Sequence, residues 1–123
     1  MPGAEGRLAE GPLNAAIANE IGKLVADFTG RGAPKSRAFI DQDVVVCLLE
    51  DGATKAEANL VAAGKAELVR LGRDGLQRAM EPQLVAVIER LTRRRVRVFL
   101  SGISTHAESS VEVFVLEGEP TTE

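Results

Sequence analysis

The stretch Gly30-Arg31-Gly32-Ala33-Pro34-Lys35-Ser36 sets a lysine and a hydroxyl behind two glycines. Those are the residue types from which a phosphate cradle is built. A phosphate loop reads Gly, four residues, Gly, Lys, then Ser or Thr, because freed backbone amides and the lysine must meet the phosphates together. Here Pro34 precedes Lys35. The stretch also follows a helical pattern and enters a strand pattern, so the helix end beside it is a C-terminus, whose dipole repels phosphate. It reads as a helix stop, with Gly30 or Gly32 in a left-handed conformation and Pro34 completing the turn. Arg31 and Lys35 are left as candidate contacts for an anion or a partner.

A second cationic group lies in Arg90-Leu91-Thr92-Arg93-Arg94-Arg95-Val96-Arg97. Arg90 and Arg93 suit the negative end of the preceding helix. Arg94, Arg95 and Arg97 form a strip for an anion, an acidic surface or a headgroup layer. Cross-strand pairing with Glu89, Glu112 and Glu117 is the competing reading. His106, near Ser104, Thr105 and Glu108, reads as loop surface, since a catalytic pair needs geometry that spacing does not supply. Cys47 lies among aliphatic residues and reads as a small core hydrophobe. Asp41, Asp43, Glu50 and Asp51 bracket one strand and read as turn residues, with a hard-cation site the alternative.

Composition narrows the classes. The chain has 123 residues, a formal net charge of -3, one cysteine and one histidine. One domain with a real core is expected, with no internal disulfide, no metal and no cofactor. Trp and Tyr are absent and Phe occurs four times, which removes the usual stacking platforms, so no nucleic acid is expected as a partner. No apolar run reaches the roughly 20 residues of a membrane span, and the first residues lack a signal core, so a cytoplasmic protein is expected.

Residues 1–11 read as a disordered lead-in. Leu13, Ile17, Ile21, Leu24, Val25 and Phe28 then recur at helical spacing behind Pro12. SRAFI and DVVVCLLED form a hairpin. The second of its strands is apolar on both faces, so both should be covered, one of them by a second subunit. Thr54-Lys55-Ala56-Glu57 is a capping box that starts a helix. A further helical pattern runs from Leu76 to Leu91, with a kink or a fresh start expected at Pro82. RVRVFLSGIS and VEVFVLEGE form a second hairpin, with Val96, Val98 and Leu100 on one face. The fold class is α+β: a two-layer sandwich, its four-stranded antiparallel sheet made of two hairpins with helices on one face, in the order α-β-β-α-α-β-β. Residues 12–117 form the single domain, and 118–123 a flexible tail.

Taken together, PLNAAIANEIGKLVADFTGRGAPKSRAFIDQDVVVCLLEDGATKAEANLVAAGKAELV, IERLT and VEVFVLE resemble the MpsC-like family of small bacterial proteins, from about Leu13 to Glu117. The family is named for a sodium-translocating, membrane-potential-generating system. Two departures stand out. Where the family pattern has Gly-Arg-Lys-Val, this chain has Arg93-Arg94-Arg95-Val96; where an aspartate is usual, it has Gly102. The resemblance implies a non-enzymatic accessory or regulatory protein, peripheral to the inner face of the membrane, with a membrane-protein partner from an ion-transport system. The residues read a homodimer through one sheet face. A different class stays open: a small-molecule or anion-binding module using Arg31, Lys35 and the Arg93–Arg97 strip.

Overall fold

Two valine-rich stretches, Val44–Glu50 and Ser109–Leu116, pair with each other at the centre of the sheet. The computed structural model describes residues 2–30, 32, 34–50, 54–104 and 109–118, with the backbone alone for 2–10. The elements are α1 (Pro2–Thr29), β1 (Lys35–Asp41), β2 (Val44–Glu50), α2 (Lys55–Ala62), α3 (Ala66–Thr92), β3 (Val96–Ile103) and β4 (Ser109–Leu116). The four strands are all antiparallel in the order β1-β2-β4-β3. The fold is the expected α+β arrangement, element for element.

One phase of the sheet builds the core. Val45, Cys47 and Leu49 of β2, with Phe114 and Leu116 of β4, are buried against Ile17, Ile21 and Val25 of α1 and Met80, Leu84 and Ile88 of α3. Each such side chain stabilises the fold by about 2 kcal/mol relative to leaving it in water. Gly22 lets α1 approach β1 closely: a Cβ there would lie 2.8 Å from Ser36 Oγ, and that hydroxyl donates to Ala18 O at 2.8 Å.

The helix ends follow local chemistry. Gly30 takes φ 76 and its amide donates to Ala26 O, so α1 stops in a left-handed residue. Thr54 and Glu57 satisfy each other's backbone amides at the start of α2. Arg93, at φ 59, ends α3 in the same left-handed region without being glycine.

Several expectations are corrected. α1 begins at Pro2 and carries Pro12 inside it, so the expected lead-in falls mostly within a helix. Ala4, Glu5, Arg7, Leu8 and Ala9 are good helix formers by type, and proline's fixed φ suits a helix even though its missing N–H weakens it. The break between α2 and α3 lies at Gly64, φ 78, and not at Pro82. Pro82 stays inside α3; it and Arg78 are exposed, so water can take the carbonyl bond that proline cannot make. In β3 the register shifts between Val96 and Val98. Val96 and Phe99 therefore both pack on the core, while Val98 and Leu100 face the other way. Of the expected tail, all but Gly118 lies outside the described residues.

Candidate functional site

The phase of the sheet that faces away from the helices is apolar across β2, β4 and β3, with Lys35, Arg37, Asp41 and Glu50 along its β1 side. Ladder pairing sets Phe39 beside Val46, Val46 beside Val113, and Val113 beside Leu100. Val44 and Val115 form a parallel row with Val98, ended by Asp41 on β1, and Leu48 and Val111 a third, ended by Arg37. None of these side chains belongs to the core cluster. Phe39 is 50% exposed and Leu100 58%, so the face opens at both edges of the sheet. Charge is confined to its margin, where the Arg37 guanidinium stands 5.8 Å from the centre of the Phe39 ring and 3.8 Å from Glu50. Apolar sheet faces of this kind are commonly covered by another surface.

The residues singled out by charge do not converge. Lys35 begins β1 opposite Glu50, whereas Arg97 lies in the bulge of β3, on the other edge and at the other end of the sheet. A single anion site built from both is ruled out by that distance across the ladder. Arg94 donates to Gln42 O at 3.0 Å and to Glu117 O at 3.3 Å, lacing the β1–β2 turn to the end of β4. Arg93, Arg95 and Arg97 are exposed or nearly so. Glu89 accepts from Val96 N at 2.9 Å, and Arg90 pairs with Glu20. Gly32 is exposed and Pro34 buried. Arg31, Asp51 and His106 lie outside the described residues.

Sequence reading placed Glu112 on the surface as a partner for arginines. It is 0% exposed, on the helix-packed phase between Ser110 and Phe114. Cys47 stands opposite it on β2, and Ser101 opposite it on β3. Arg73 and Gln77 of α3, both buried, close over it and share one cavity with it. Burial pushes the Glu112 carboxyl up to about 7, against a weaker opposing effect of the Ser101 hydroxyl. Burial, with the nearby carboxylate, pushes the Cys47 thiol up to about 12, so Cys47 holds its proton at neutral pH and is a poor nucleophile. The signal that could have placed Glu112 is its spacing of two from Phe114 and four from Leu116, whose phase must be the covered one.

Among the described residues, no helix is long and apolar enough to cross a membrane. No curated protein and no solved structure matches the chain. A family model described as "Na+-translocating membrane potential-generating system (MpsC)" matches residues 9–118, which spans every strand and all but the start of α1. The chain belongs to the MpsC family.

Proposed function

We propose that the protein is a non-enzymatic accessory or regulatory component of a membrane ion-translocating system, and that it works as a homodimer joined through the open face of its sheet. The open face carries this reading. Three ladder rows of valine, leucine and phenylalanine, with charge only where Asp41 and Arg37 end two of them at the β1 edge, favour burial against a like surface over exposure. An isologous pair covers this face with the one surface certain to be present at equal concentration, a second copy. Family membership supplies the ion-translocating context. In this reading the protein sits on the cytoplasmic side, peripheral to the inner face of the membrane, and presents Arg93, Arg95 and Arg97 outward beside the α3–β3 junction.

Light scattering tests the dimer. The wild-type protein should run as a dimer at about 10 µM, and Val113→Lys should be a folded monomer. A wild-type monomer at that concentration overturns the dimer. The accessory role is tested in cells lacking the protein, by a dye reading of sodium-dependent membrane potential. An unchanged potential sinks it.

A further inference from the structure

The open face of the sheet carries a pattern that is complementary to its own half-turn. The ladder sets three rows across it. The first runs from Asp41 on β1 to Val98 on β3, the second from Phe39 to Leu100, and the third from Arg37 to Gly102. The middle row is wholly apolar and ends at both edges in a large exposed side chain. The two outer rows begin on β1 with opposite charges, both exposed and each two residues from Phe39. On β3 the outer rows differ in bulk. Val98 fills one, whereas Gly102 leaves the other with a hollow of about 350 Å³, lined also by Leu48, Ile103 and Val111.

Resting on the homodimer proposed above, we propose that its two copies are related by a twofold axis running across the strands along the middle row, so that Asp41 of each copy pairs with the partner's Arg37. Each strand then lies over the same strand of the partner, in the reverse direction. Phe39 meets the partner's Phe39, and Leu100 the partner's Leu100. The first row of one copy lies over the third row of the other. Two symmetric charge pairs therefore close the β1 edge of the interface, and at the β3 edge Val98 faces the hollow beside the partner's Gly102.

The other half-turns fail on charge. An axis parallel to the strands lays β1 over the partner's β3, which sets Asp41 against the partner's Val98 and Arg37 against the partner's Gly102. Each charge then loses water without gaining its opposite. An axis across the strands through an outer row sets Asp41 on the partner's Asp41, or Arg37 on the partner's Arg37. Packed sheets lie about 10 Å apart and cross at about 30°, a span that an arginine and an aspartate bridge together. Arg37, its side chain 62% exposed and 3.8 Å from Glu50, has donors for a second carboxylate. Exposed pairs of this kind add little affinity; their effect is to fix the orientation, with like charges excluding the wrong ones.

Charge exchange tests the geometry, read by light scattering over a dilution series. Arg37→Asp and Asp41→Arg should each self-associate about tenfold more weakly than the wild type, because each sets two like-charge contacts in the interface. An equimolar mixture of the two should form a dimer at concentrations where each alone is a monomer, and a variant carrying both changes should dimerise with itself. Single variants that dimerise as the wild type does, or a mixture that associates no better than its parts, overturn the geometry and leave the dimer standing. A wild-type monomer overturns both. Cross-linking keeps the test decisive if a charge variant does not fold. Phe39→Cys should be joined to its own partner by a bis-maleimide of about 10 Å reach, since an axis along the strands would hold the two positions more than about 15 Å apart. Cys47, buried with its thiol held at about 12, stays silent. A Phe39→Cys dimer that the reagent leaves unjoined overturns the geometry as well.

Discussion

The protein should lose stability as the pH rises from about 4.5 to 7, and Glu112 should account for it. Its folded-state carboxyl sits at about 7, above the ordinary 4.5, so the folded state holds the proton more tightly than the unfolded chain does. Stability is then full below about pH 4.5, declines as the pH climbs from there to about 7, and levels off above it, having fallen by about 3 kcal/mol in all. Urea midpoints measured across that range should show the slope, and Glu112→Gln should flatten it. Arg93 makes the opposite kind of prediction. A side chain at φ 59 costs about 1 kcal/mol that glycine avoids, so Arg93→Gly should stabilise the protein by about that much in the same assay. The family pattern expected glycine at this position, and the left-handed backbone gives the reason. Glu112 was harder to read. In a strand that is otherwise valine, phenylalanine and leucine after its two serines, the lone acid suggests the wet side, and only the position of the helices shows otherwise.

At the scale of elements, α2 has no buried residue and depends on polar ties. Thr54→Ala removes one half of its cap and should cost about 1 kcal/mol. Glu57→Ala removes the other half and also the two hydrogen bonds that Glu57 accepts from the buried Arg73, so its cost should be larger, about 2 to 3 kcal/mol. A result with the two variants equal would show that the Arg73 pair contributes nothing. Gly72 and Gly75 lie inside α3, where an added Cβ meets nothing within 4 Å. Each change to alanine should stabilise by about 1 kcal/mol, read from the denaturant midpoint. The strands, both hairpins and the capping box were legible, because alternation and the Thr-x-x-Glu spacing are local. The α2–α3 break was not. Gly64 and Pro82 are both helix breakers by type, and which of them ends a helix depends on whether water reaches the carbonyl that loses its partner. The β3 bulge was hidden for a similar reason, since residue alternation cannot show where the ladder slips by one position.

At the scale of the whole molecule, helices cover one sheet face and leave the other apolar face open, and stability should therefore depend on concentration. Tm should rise with protein concentration in the wild type and stay constant in Val113→Lys. The need for a cover was legible from the two apolar phases of β2. Which face the helices take was not, because both are greasy enough to serve. Cys47 gives the same architecture a built-in clock. It is the single cysteine in a chain with no tryptophan or tyrosine, and it is fully buried at the centre of the sheet with its thiol held to about 12. A thiol-labelling reagent can reach it only when β2 parts from the helices. The colour change of such a reagent should therefore time the opening of the core directly, at a rate far below that of a free thiol, and accelerate in every variant that loosens the packing around Glu112.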